Sequence, residues 1–331
     1  MTYQIYRMAN GIRIIHKHTH SAVAHCGLVI NAGSRDELSQ EHGLAHFIEH
    51  VVFKGTTRRK AHHILSHMEN VGGELNAYTS KEDTCIYASF MHQWYARWME
   101  LLSDILFNSR FPARELEKEK EIIADEINSY KDSPGEQIFD DFDSVIFKDH
   151  PLGRNILGTR ASLKRFDSEF IETFMARNYQ PEEMVIASVG QIPFEKLVKL
   201  CEKYFSQARS LHKREPRRAF TNYTPDIKQL KRRNHQVHCM LGNHAYAGDH
   251  PGKTALVLLN NMLGGPGMNS RLNMAVRERY GYCYSIESHY QPYADSGIFS
   301  IYFGTTPGYT EKTLGLIHRE LQRLREKPLG N

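Results

Sequence analysis

Apolar and polar residues alternate through the first thirty positions. Within residues 3–33, IYRMANGIRIIHKH and VAHCGLVINAG read as strands, and Asn10-Gly11 gives a tight-turn signal between alternating segments. The period then lengthens. Helical spacing predicts one helix over 42–53, ended by Gly55, and another over 61–71, stopped by Gly72-Gly73. Residues 75–90 read as two short strands around 79–83. Helices at 93–108 and 113–130 follow, then a loop carrying Pro134 and Pro151. A helix over 168–178, a strand over 184–189 and a helix over 194–204 complete this part.

Residues 207–222, QARSLHKREPRRAFTN, are polar and basic and predict a linker. Beyond it the pattern restarts. A strand at 236–244 leads to a helix at 254–263, a glycine turn at 264–267 and a helix at 272–280. Strands at 282–290 and 297–303 and a helix at 310–326 follow. This order resembles the first part at an offset of about 213–215 residues, which suggests a duplication. The expectation is an α+β chain of two related domains, 1–206 and 223–331, joined by 207–222. The second is much the shorter and is expected to lack its C-terminal part.

Composition narrows the class. With 40% apolar and 24% charged residues in 331, the chain has ordinary globular composition. No stretch approaches the ~18 uncharged apolar residues of a membrane span. The opening MTYQIYRMANGIRII lacks the basic-then-apolar order of a secretory signal, so a cytoplasmic location is expected. The formal charge is a mild +4. Basic residues gather at Lys213–Arg218 and Lys231–Arg233 without interleaved aromatics, which reads as a solvated linker and a strand start, and no nucleic-acid partner is expected. The five cysteines, Cys26, Cys85, Cys201, Cys239 and Cys283, are widely spaced with no CxxC pair. That argues against a disulfide framework and a cysteine zinc site and predicts small buried hydrophobes.

The candidate chemistry lies in His46-Phe-Ile-Glu49-His50. Residues four apart on a helix share a face, so both imidazoles can reach one ion, with Glu49 on the same side. Leu44, Phe47, Ile48, Val51 and Val52 form an apolar face, so the helix reads as buried nearly all round. A buried Glu49 then needs a metal or its water as compensation. HxxEH is the inverse of the HExxH zinc signature. A chance match in a chain with 19 histidines is the alternative. Catalytic zinc takes three protein ligands and a water. The candidates for the third are Glu119 and Glu126, seven apart on the apolar stripe Leu116, Ile123, Ile127 and Tyr130.

These segments resemble the pitrilysin-type (M16) metallopeptidases, which include insulin-degrading enzyme and the mitochondrial processing peptidases. GLAHFIEHVVFKGT looks like the family's zinc helix, and GGELNAYTSKEDTCIYA like the strand pair beside it. EIIADEINSYKDSPGEQIFDDF looks like the third-ligand helix. HPLGRNILGTRASL is closest to the processing peptidases and their bacterial relatives, and LGGPGMNSRLNMAVRERYGYCYSIES resembles the second-domain motif. The resemblance implies α/β-roll domains with antiparallel-rich sheets, the second being the non-catalytic repeat. It implies one Zn2+ per chain on His46, His50 and Glu126, Glu49 as general base and Glu119 as a supporting acid. Asn76 and Ala77 would pair with substrate backbone at a strand edge, and Arg277 and Tyr284 would reach the substrate near the metal. Glu136 and Asp140 match positions that receive an arginine near the cut. A homodimer, or a heterodimer with a related subunit, is implied, closing a chamber around peptides or unfolded segments. The rival is a non-catalytic peptide-binding or assembly subunit, a role in which HxxEH ligands are commonly lost. A metal-dependent amidase of another class is a second rival.

Overall fold

A computed structural model describes residues 2–210, 214–232 and 234–327. In chain order the strands and helices begin β1 (Gln4–Arg7), β2 (Arg13–His18), β3 (Val23–Ile30), α1 (Leu44–Val51), α2 (Ala61–Glu69), β4 (Glu74–Thr79), β5 (Thr84–Met91), α3 (Tyr95–Asn108) and α4 (Ala113–Lys131). They continue with α5 (Pro134–Ile146), α6 (Arg160–Leu163), α7 (Ser168–Asn178), β6 (Met184–Gly190), α8 (Phe194–Phe205), β7 (Val237–His244), α9 (Lys253–Gly264), β8 (Cys283–Pro292), β9 (Gly297–Thr305) and α10 (Thr310–Glu326). The class is α+β, as expected, with two open sheets.

The first compact unit comprises residues 1–128 and 154–217. Its six-stranded sheet runs β1-β2-β6-β3-β5-β4. Only β2 and β6 pair in parallel. The Asn10-Gly11 turn joins β1 to β2 with Gly11 at φ +99, a left-handed conformation that favours glycine. One sheet face is covered: Ile14, Leu28, Ile86, Phe90 and Ile186 meet Trp98 and Leu102 of α3 and Leu197 and Phe205 of α8. A second cluster joins Leu44, Phe47, Ile48 and Val51 of α1 to Leu116, Ile123 and Ile127 of α4 and to Ile171 and Phe174 of α7. Tyr130, read as part of that stripe, is instead exposed.

The second unit comprises residues 129–153 and 218–331. Its antiparallel sheet runs β7-β9-β8, repeating the order β3-β5-β4 of the first. Leu263, Val276, Leu316 and Ile317 pack with Ile286, Ile301 and Phe303 in one cluster. On Tyr302 sits Phe139 of α5, ring centroids 5.4 Å apart. The stretch read as a loop around Pro134 is thus a helix of the second unit. Pro134 occupies its first turn, where a missing N–H costs nothing. The helix expected at 272–280 contains a π-helical turn, Asn273–Glu278.

The expected linker needs one correction. Arg214 and Arg217 are not solvated: both pair with Asp36, at 2.5 and 2.7 Å, and Arg214 also reaches Glu183 at 2.9 Å. The Asp36 and Glu183 carboxylates of the first unit draw them in, and that unit runs on to Arg217. Residues 211–213, 233 and 328–331, with Lys213 and Arg233 of the basic runs, lie outside the described residues.

Four of the five cysteines are buried, and none is paired. Burial pushes the Cys26 thiol up to about 12, and Cys85, Cys239 and Cys283 up to about 11. Since only the thiolate reacts, a disulfide-exchange reagent at pH 8 should modify less than about one thiol per chain before unfolding and five after it. Rapid labelling of the native chain would contradict this burial.

Candidate metal centre

The helix that carries HxxEH is held at its start. Glu37 is buried, and its two oxygens accept the Gly43 and Ala45 N–H groups, each at 2.9 Å. This satisfies two of the orphan donors at the beginning of α1. Gly43 sits at φ +92, where a Cβ would lie 2.7 Å from the Gly158 backbone, so only glycine fits. One turn on, Glu41 takes both arms of the Arg177 guanidinium, at 2.9 and 2.6 Å. Glu37 and Glu41 gave no motif signal in the sequence: Glu37 caps α1 from seven residues ahead, a spacing no motif fixes, and Glu41 gains its role only beside the distant Arg177.

Burial pushes the Glu37 carboxyl up to about 8, with Glu41 adding to the rise and the two N–H groups and Arg154 opposing it. A carboxyl that holds its proton more tightly when folded contributes stability below its ordinary pKa of about 4.5 and loses it as pH rises through about 8. Metal-free protein should therefore lose on the order of 2–4 kcal/mol between pH 5 and 8 through this group. Denaturant unfolding of Glu37→Gln at both pH values should show that part of the slope removed. An unchanged slope would assign it to other groups.

The structure brings His46, His50 and Glu126 together. Their ligand atoms lie within 4.8 Å of one another, the one such group among the described residues. Glu126 Oε2 stands 3.8 Å from His46 Nε2 and 3.7 Å from His50 Nε2. Zinc bonds of about 2.0–2.1 Å at tetrahedral angles hold donor atoms roughly 3.4 Å apart. Both carboxylate–imidazole distances come within a few tenths of an ångström of that spacing, and all three donors lie close enough to converge on one small ion by side-chain adjustment. Burial, then the neighbouring His50, pulls the His46 imidazole down to about 4, so it is neutral at physiological pH with a lone pair to give. Its buried Nδ1 has no hydrogen-bond partner. His50 Nδ1 meets Glu119 Oε2 at 3.3 Å, which leaves Nε2 for the Glu126 side. A carboxylate behind a ligating imidazole is the usual support of such a ring.

Burial raises Glu126, Glu49 raises it further, and His50 opposes. Glu49 is half-buried on the helix face that carries both histidines. Asn76 and Ala77 lie on β4, at the edge of the sheet, with β5 on one side alone. The Asn76 side-chain oxygen accepts the Ala77 N–H at 2.8 Å.

The remaining predicted residues belong to the second unit. Arg277 comes from the π-helical turn, and Tyr284 from a β-bulge where β8 shifts register. A bulge re-aims its extra residue. Here the guanidinium lies 5.4 Å from the Tyr284 ring centre, and the tyrosine is 79% exposed. Glu136 and Asp140 share one face of α5. On the adjacent face Asp141 holds Lys228 and Arg232, both at 3.2 Å.

Residues 13–160 match the profile of the family described as Insulinase (Peptidase family M16), and residues 165–330 match Peptidase M16 inactive domain. This chain belongs to peptidase family M16. An "Uncharacterized zinc protease YmxG" of Bacillus subtilis is 34% identical over 322 residues, covering 97% of this chain and 78% of its own length. An "Uncharacterized zinc protease SCO5738" of Streptomyces coelicolor is 32% identical, over 97% of this chain and 72% of its own. A crystal structure of a protease from Helicobacter pylori superposes with a TM-score of 0.90 at 22% identity, covering 100% of this chain and 81% of that one. A Pseudomonas fluorescens structure titled peptidase M16 inactive domain gives 0.92 at 21%, covering 99% and 81%. At those identities the two structures speak for the M16 fold alone. No helix among the described residues of this M16 chain is long and apolar enough to cross a membrane.

Proposed function

We propose that this chain is a zinc-dependent endopeptidase that hydrolyses peptides or unfolded protein segments, binding one Zn2+ through His46, His50 and Glu126. The observation that carries the reading is the convergence of two imidazoles and a carboxylate, their donor atoms within 4.8 Å of one another, with the Glu49 carboxylate beside them. Held by these three residues, a zinc ion would supply Lewis acidity, acidifying a water and polarising a carbonyl. Glu49 is placed to accept a proton from an attacking water and to return it to the leaving amine. Glu119 orients His50. The free edge of β4 at Asn76 and Ala77 takes an extended peptide by strand addition. Arg277 and Tyr284 offer donors to the substrate carbonyl or its adjacent backbone. Glu136 and Asp140 offer charge to a basic substrate residue. The assembly we propose is a homodimer or a heterodimer with a related subunit.

The test is cleavage of an unstructured peptide pool, read by product mass beside measured zinc content. One zinc per chain and new peptide termini are expected. A chain that holds zinc and cuts nothing, alone or with a related subunit, would leave the non-catalytic role. A chain that holds no metal would remove the ligand assignment itself.

A further inference from the structure

We propose that Lys54 is a positioning residue of the metal centre: it holds Glu119, and through Glu119 it sets the ring of His50. This rests on the zinc reading above. His46, His50 and Lys54 follow one another at intervals of four, the last just past α1, where its N–H bonds the Val51 carbonyl at 3.0 Å. Glu126 and Glu119 are seven apart on α4 and share a face. The two rows interleave. Glu126 reaches His46 and His50, while Glu119 reaches His50 at 3.3 Å and Lys54 at 2.7 Å.

The Glu119 side chain is only 6% exposed with the ammonium in place, so Lys54, and not bulk water, satisfies its Oε1. Without Lys54 that oxygen is left unsatisfied and the carboxylate is free to turn. His50 then loses the acceptor that keeps its Nδ1 side engaged and its Nε2 aimed at the cluster. The backbone beyond Lys54 is itself fixed. Thr56 donates to the fully buried Asp104 at 2.9 Å, and Arg59 pairs with the same carboxylate at 2.6 Å. The lysine therefore starts from a defined place and spends little freedom in reaching Glu119.

The test is zinc affinity by competition with a chromogenic chelator, in wild type, Lys54→Met, Lys54→Arg, Glu119→Gln and the Lys54→Met/Glu119→Gln double variant, each with its metal-free melting temperature. Lys54→Met should weaken zinc binding about 10-fold, the scale of lost second-shell support. Lys54→Arg, which keeps a charged hydrogen bond, should recover most of it. In the Glu119→Gln background Lys54→Met should change affinity by less than about twofold, because the two act in series. An unchanged affinity in Lys54→Met would overturn the proposal, as would an equal loss with and without Glu119 or a loss that Arg does not recover. If wild type binds zinc and Lys54→Met matches it, this proposal alone falls. If wild type takes up no zinc, the zinc reading falls and takes this one with it.

Discussion

Glu49→Gln should leave one zinc bound per chain and lower peptide turnover by about 10²–10⁴-fold, the usual contribution of a positioned general base. The side chains are isosteric, and Glu49 is not among the three groups whose donor atoms converge. Metal content should therefore survive while the proton acceptor is lost. Gln also removes a negative charge, which eases ionisation of the neighbouring Glu126 but weakens the site's attraction for a cation; the two effects oppose, so zinc affinity should change little. The loss should fall on kcat, with KM little changed, because the base acts on the water and not on the bound peptide. Product mass spectrometry and metal analysis on one preparation decide it. Turnover at wild-type level would move the proton-transfer role off Glu49, and loss of zinc would make Glu49 a ligand or its support.

The part of this centre that follows a fixed period was legible in the sequence. HxxEH puts His46, Glu49 and His50 on one helical face whatever surrounds it, and the seven-residue interval on α4 does the same for Glu119 and Glu126. The apolar face of α1 was legible for the same reason, and Leu44, Phe47, Ile48 and Val51 are buried. What depended on distant partners was not. Glu37 reads as an ordinary surface acid until its chain turns back on the start of α1. Lys54 gains meaning only beside a residue 65 positions away. Arg214 and Arg217 look like linker charge until Asp36 is seen beneath them. The α5 error has a local cause, since a proline ends some helices and begins others, and Ser133-Pro134 belongs to the second kind. The bulge at Tyr284 and the π-helical turn at Arg277 break the very periodicity by which elements are read.

Glu126→Gln should produce opposite effects on metal binding and on the metal-free fold. As a third ligand, the carboxylate supplies charge that an amide does not. Zinc affinity should fall well beyond the roughly 10–100-fold typical of second-shell losses. Zinc at a thousandfold excess over its Kd should stabilise wild type by about 4 kcal/mol. The same zinc should stabilise the variant by less than about 1 kcal/mol. Without metal the sign reverses. Burial and the nearby Glu49 both disfavour the ionised Glu126, with only His50 in opposition. A neutral side chain there should keep or raise stability, by no more than about 1 kcal/mol because the carboxylate is 36% exposed and water screens it. Denaturant unfolding with and without zinc gives both quantities in one experiment. A variant that loses metal-free stability would make Glu126 a structural acid. A variant stabilised by zinc as much as wild type would place the third ligand elsewhere. The predicted combination, a fold at least as stable and a metal no longer held, belongs to a residue kept for its ligand and not for its packing.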